Sequence, residues 1–216
     1  MVISPVQVKI CCIQSPEEAE TALSFGAAAV GVVSEMPAGP GELPEAAIRE
    51  IVDSVPSAVG TFLLTAATDA DRLIEKAQTC GVNTLQLWDS LAPLDYLRLR
   101  AALPGVSIVQ AIHIIDGSAV DEATAAARLA DALVLDSSNP KVPFRWESQS
   151  GRTHDWKISR EITDTVDCPV LLAGGLGPDA RQDPTRVRHV AAMPAGGPAG
   201  IAACLSGIAI SSSGSC

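Results

Sequence analysis

A parallel α/β fold of the (β/α)8 TIM-barrel type is what this sequence predicts, and three observations predict it. Short runs rich in Val, Ile and Leu recur along the chain. The first six lie about two dozen residues apart, the length of one strand, one loop and a three-turn helix. Between them lie stretches with helical apolar spacing and capping residues at their starts. The length of 216 residues suffices for one compact barrel, since such barrels run from about 200 residues upward. An open doubly wound sheet is the alternative arrangement of the same units.

Taken in order, the strand-like runs are residues 6–12, 29–33, 59–64, 84–87, 107–112, 132–135 and 170–173, with 207–210 as the candidate eighth. Near-continuous apolar strands suit a parallel sheet covered by helices. Ser15-Pro16-Glu17-Glu18 places a capping hydroxyl before a proline at the first helical position, followed by an acidic first turn. Ala19, Ala22 and Leu23 then share one face, and Gly26 stops the helix. Thr68-Asp69-Ala70-Asp71 opens another helix, with Leu73, Ile74 and Ala77 inward and Gly81 past its end. Asp155-Trp156-Lys157-Ile158 opens a third. The rhythm breaks after residue 173. The next strand-like run is further off, residues 191–200 are rich in Ala, Gly and Pro, and no amphipathic helix follows Ile210. The expectation is a single domain over 1–216 with an atypical or incomplete eighth βα unit, an Ala/Gly/Ser-rich segment over about 191–216.

Composition narrows the function classes. Apolar residues make up 47% of the chain, ordinary for a globular protein, while aromatics are only 3%, so Ala, Val, Ile and Leu must fill the core. Lys plus Arg is 15 against Asp plus Glu 25, a net charge of −10. A surface that acidic repels phosphate backbones and anionic lipid headgroups, which argues against nucleic-acid and membrane partners. No apolar run is long enough to span a bilayer, and the N-terminus carries no basic segment leading into an apolar one. Cysteines at 11, 12, 80, 168, 204 and 216 show no zinc-like spacing. They suit reduced thiols in the cytoplasm, with most of them packed as small core groups. A monomer or homodimer is expected.

In a parallel barrel the active site forms at the C-terminal ends of the strands. Alternation puts Lys9 and Cys11 on one face of the first strand, and an ammonium without a partner is costly on the helix-covered side. That face therefore points into the barrel mouth, where a thiol near an ammonium can act as base or nucleophile. The same residues also read as two buried cysteines packed as apolar groups. Asp136 ends the sixth strand, placed to donate a proton or to cap a turn. A cysteine base and an aspartic acid across one mouth suit a proton-shuttling isomerase. After the seventh strand, Gly174 and Gly175 let backbone approach an anion, and Ser211 and Ser212 after the candidate eighth strand can complete a phosphate cup. Lys9, Gln86 and Arg152 are the candidate substrate-binding side chains, while Asp155 reads as a helix cap and His154 as structural. His113 also reaches the mouth by position.

Taken together and in order, Val8-Lys9-Ile10-Cys11, Leu85-Gln86-Leu87, Leu133-Val134-Leu135-Asp136-Ser137, Gly151-Arg152-Thr153-His154-Asp155-Trp156 and Leu172-Ala173-Gly174-Gly175-Leu176 resemble the phosphoribosylanthranilate isomerases of tryptophan biosynthesis. The resemblance implies a (β/α)8 barrel, no cofactor, a small phosphorylated sugar as substrate, and an Amadori rearrangement of an aminoaldose phosphate to a 1-amino-ketose. It makes Cys11 the base that removes the proton at the sugar's C2 and Asp136 the acid that protonates the ring oxygen. It also makes Gly174, Gly175 and the serines after the eighth strand the phosphate holders. The chain departs from the family pattern at several points. Cys12 stands where the family has Gly, and Trp88 where it has His. The loop 34–41, Ser-Glu-Met-Pro-Ala-Gly-Pro-Gly, lacks the family's Arg. Gln149-Ser150-Gly151 shortens a Gly-Gly-Thr-Gly loop, and 207–214 echoes the family's ending without its Asp. The alternative reading is a non-catalytic or differently specific barrel that binds a phosphorylated sugar.

Overall fold

In the computed structural model, eight parallel strands close on themselves, each bonded to the next and the eighth to the first. The structure describes residues 7–36, 41–137 and 155–174, together with the backbone of 189–192. In chain order the elements are β1 (Gln7–Ile10), α1 (Pro16–Ser24), β2 (Ala29–Val33), α2 (Glu45–Ser54), β3 (Gly60–Thr65), α3 (Ala70–Cys80) and β4 (Thr84–Leu87). They continue with α4 (Pro93–Ala102), β5 (Ser107–His113), α5 (Ala119–Ala126), β6 (Ala132–Asp136), α6 (Trp156–Thr165), β7 (Val170–Ala173) and β8 (His189–Ala192). Closure excludes the open doubly wound sheet.

The capping residues work as the sequence implies. Ser15 Oγ accepts the Glu18 N–H, and the Glu18 carboxylate reaches back 2.8 Å to the Gln14 N–H, which satisfies two donors at the start of α1. Asp69 caps α3 by accepting the Arg72 N–H, and Gly81 ends it at φ +70. Asp155 caps α6 by accepting the Lys157 N–H at 2.9 Å.

One position in the barrel departs from the sequence expectation. The strand between β7 and β1 is His189–Ala192, paired to both, and not residues 207–210. Ala-rich His-Val-Ala-Ala has weak intrinsic strand preference, and its place is set by the two neighbours it bonds to. Residues 207–210, and the atypical segment after Ala192, lie outside the described residues.

Strand alternation divides the apolar side chains into two layers. Ile10, Val30, Val32, Leu63, Leu85, Leu87, Ile108, Ile112, Leu133, Leu135 and Leu172 point outward, where they meet helix residues such as Ala22, Ile48, Leu73 and Leu99. Phe62, Val109, Ala132, Val134, Leu171 and Ala173 point inward and fill the barrel itself. Each fully buried Leu or Ile stabilises the fold by about 1.5–3 kcal/mol, so the outer layer carries most of the stability. Gln110 is a polar member of that layer. Its carbonyl accepts the Tyr96 hydroxyl at 2.5 Å and its amide donates to the Ala111 and Leu87 carbonyls, which ties β5 to α4 without an orphaned group.

Candidate active site

The inward positions at the C-terminal ends of the strands converge on one mouth. Gly31 lies between outward Val30 and Val32, and Cys11 Sγ sits beside it. A Cβ built on Gly31 would stand only 3.1 Å from that sulfur and 3.3 Å from Cys11 Cα. The missing side chain on β2 is therefore what gives the thiol its place. Asp136 follows Val134 by two residues on β6, so it shares the inner face with that core residue. Its carbonyl accepts the Ile114 N–H at 2.9 Å, and it stands in register with His113 on β5. Cys11 and Asp136 thus occupy the same rim, on strands separated by β7 and β8.

Beneath the rim, Lys9 is only 2% exposed. Its ammonium donates to Gln86 Oε1 on β4 and lies 4.5 Å from the centre of the Phe62 ring on β3. Alternation singled out Lys9 and a strand-end position singled out Gln86, but neither signal reported their union, which spans the barrel interior. Phe62 went unnoticed at the sequence level, although a lone inward aromatic in an aromatic-poor barrel was the available signal.

Cys12, next to Cys11, adopts φ +59. This left-handed backbone is the one a glycine takes with least strain, and it is glycine that the family resemblance puts here. Burial, and then the neighbouring Cys11, push the Cys12 thiol up to about 12, with Lys9 pulling the other way and Glu18 adding to the rise. Cys12 is a neutral thiol at physiological pH.

His113 and Trp88 form an edge-to-face pair with ring centres 4.5 Å apart, and His113 Nε2 lies 3.2 Å from the Trp88 carbonyl oxygen. On the β7 side, Gly174 takes φ +85, and a Cβ there would fall 1.8 Å from Ser137 Oγ. Only glycine fits, because the ends of β6 and β7 approach one another that closely. Gly175, Arg152, His154, Ser211 and Ser212 lie outside the described residues.

A polar cluster that sequence reasoning missed anchors the loop after β2. Lys76 of α3 is buried and its Nζ donates to Ser34 Oγ at 2.9 Å and to Glu45 Oε1 at 3.1 Å, with Glu35 Oε2 at 3.4 Å. Arg72 Nε donates to Glu35 at 2.6 Å. That hydrogen bond, more than the nearby charges, holds the Glu35 carboxyl below its ordinary range despite partial burial. Among the described residues no three His, Cys, Asp or Glu side chains gather as a metal site, and no helix is long and apolar enough to cross a membrane.

Comparison with known proteins agrees with this geometry. The family model for N-(5'-phosphoribosyl)anthranilate isomerase matches residues 8–191. The N-(5'-phosphoribosyl)anthranilate isomerase of Methanocella arvoryzae is 30% identical over 173 residues, covering 80% of this chain and 78% of its own. Among solved structures, the Thermotoga maritima phosphoribosylanthranilate isomerase superposes with a TM-score of 0.79 at 20% identity, over 97% of this chain and all of its own. A second isomerase structure, solved with reduced 1-(o-carboxyphenylamino)-1-deoxyribulose 5-phosphate, superposes with a TM-score of 0.71 at 20% identity over 87% of each chain.

Proposed function

The chain belongs to the N-(5'-phosphoribosyl)anthranilate isomerase family, and from that premise we propose that it rearranges phosphoribosylanthranilate to the 1-amino-ketose phosphate of tryptophan biosynthesis, with Asp136 as acid and Cys11 as base. The observation that supports these roles is their shared rim: a thiol set in the notch beside Gly31 and a carboxyl at the inward end of β6.

The chemistry needs two proton transfers. Asp136 gives a proton to the furanose ring oxygen, the C1–O bond breaks, and the nitrogen lone pair forms a C1=N iminium. The Cys11 thiolate then removes the C2 proton. The C–H electron pair becomes a C1=C2 bond and the iminium electrons return to nitrogen. Loss of the C2 hydroxyl proton and protonation at C1 give the ketone. A general acid or base placed in this way contributes about 10²–10⁴-fold each. Gly174 and Gly175 are the proposed holders of the substrate phosphate, and Arg152 is the proposed grip on a second anionic group of the substrate. Free thiols at Cys11, Cys12, Cys80 and Cys168 suit a reducing cytoplasm. The working unit is a monomer or homodimer with a small phosphorylated sugar as its partner.

The test is turnover of freshly generated phosphoribosylanthranilate, followed by loss of anthranilate fluorescence. Cys11→Ala and Asp136→Asn should each lower kcat by at least about 10²-fold while the circular dichroism spectrum and melting curve hold. An unchanged rate in either variant removes that residue from the mechanism.

A further inference from the structure

We propose that Lys9 is the fixed countercharge of the Cys11 thiolate, a positioning residue that acts through the thiol rather than by touching substrate. The proposal rests on the reading of Cys11 as the base. Lys9 and Cys11 stand two residues apart on the inner face of one strand. The Cβ position of Gly31 lies 3.1 Å from Cys11 Sγ and 3.5 Å from Lys9 Cε, so thiol and lysine stem border one notch. The two atoms are therefore no more than about 7 Å apart, within range of a Coulombic interaction poorly screened by water.

The ammonium itself is held by neutral groups. Gln86 offers a carbonyl oxygen and Phe62 the face of its ring, and both favour the cation without cancelling its charge. Among the described residues Lys9 forms no ion pair; the salt bridges all belong to other cations. A buried ammonium kept charged and uncancelled favours an anion forming beside it, and the thiol in the notch is placed to be that anion.

Among the described residues the surroundings contain few competitors. On β1 and just past its end the titratable neighbours are Lys9 itself and Cys12, which is pushed up to about 12 and stays neutral. On β2 the stretch Ala29–Val33 has none. On β8 the residues in register with Lys9 and Ile10 are Ala191 and Ala192, which do not titrate. Glu18 at the start of α1 acts on this corner from outside, and Asp136 and His113 stand on the far strands of the rim. Lys9 is thus the one cation among these groups, and of the two adjacent thiols Cys11 is the one that shares its notch.

The experiment titrates the ultraviolet thiolate absorbance that Cys11→Ser abolishes, in the parent chain, in Lys9→Met and in Gln86→Glu. Lys9→Met removes the charge, and Gln86→Glu cancels it while leaving the lysine in place. Both should move the Cys11 midpoint upward by about one pH unit or more. The acid limb of the kcat/KM profile should move with it, and kcat should fall more than KM rises. A midpoint unmoved in whichever variants fold overturns the countercharge. The titration needs no turnover, so it separates the two failures. Activity retained in Cys11→Ala refutes the base, whereas activity lost there with an unmoved midpoint in Lys9→Met refutes only the role of Lys9.

Discussion

Among the described residues two lysines are buried, Lys9 at 2% exposure and Lys76 at 5%, and they are solvated by the protein in opposite ways. Lys76 is met by two carboxylates and a hydroxyl, so its charge is cancelled where it sits. Lys9 is met by an amide oxygen and an aromatic face, so its charge survives. Cancelling a buried charge fastens elements together, here β2 and its loop to α2 and α3. Leaving it uncancelled makes a local field, and that field lies under the rim that carries Cys11 and Asp136. The difference lies in the partners, since the two cations are chemically identical.

The largest effect expected of this contrast is an exchange of readouts. Lys76→Met strands Glu45, leaves Glu35 to Arg72 alone, and should cost about 2 kcal/mol of unfolding free energy in urea, less than a fully buried pair because both carboxylates are about a third exposed or more. Its kcat/KM should be unchanged. Lys9→Met should cost under about 1 kcal/mol, since a desolvated charge goes with it, while turnover falls. Equal losses of stability in the two variants would erase the distinction. Gly31→Ala sharpens it, because its methyl enters the notch that Cys11 and Lys9 border and Lys76 does not. Contacts of 3.1 and 3.3 Å must give way, for an expected loss of about 1–2 kcal/mol and a displaced thiol detectable as slower turnover.

The smallest effect concerns the second thiol. Cys12 titrates at about 12 in the fold against an ordinary value of 9.0. Between those values the unfolded chain gives up the proton first and the native chain keeps it, so stability falls as pH rises through that window. Cys12→Gly removes this liability and suits φ +59. Near pH 7 it should melt close to the parent. Above pH 9 it should gain on the parent, by no more than about 1.4 kcal/mol per pH unit. Parallel alkaline melting curves for the two proteins would refute this.

Much of the frame was legible because its signals are local. β2, β4 and β7 follow the apolar runs residue for residue, and Ser15, Asp69 and Asp155 mark helix starts by chemistry that needs no tertiary context. Alternation also placed Lys9 with Cys11, and the end of an apolar run marked Asp136. The rest depends on partners distant in sequence. The eighth strand is weakly apolar, and only bonding to β7 and β1 identifies it, which is why a better local pattern at 207–210 drew the expectation away. Lys76 lies inside a helix whose spacing says nothing about Ser34 or Glu45. The pairing of Lys9 with Gln86 crosses 77 positions of sequence, and no periodicity reports a contact at that range.

The loop that lacks the family's arginine is moored on both sides by groups outside it. Glu35 is held by Arg72 and Lys76, the Gly41 carbonyl accepts from Gln14 Nε2 at 3.1 Å, and Glu42 bridges to Val33 while its carboxylate takes the Glu35 N–H at 2.8 Å. For protein engineering this fixes both flanks of the loop, so Ser34, Glu35, Gly41 and Glu42 are the positions a substitution library should leave alone. Natural divergence of this loop is held to the same fixed points.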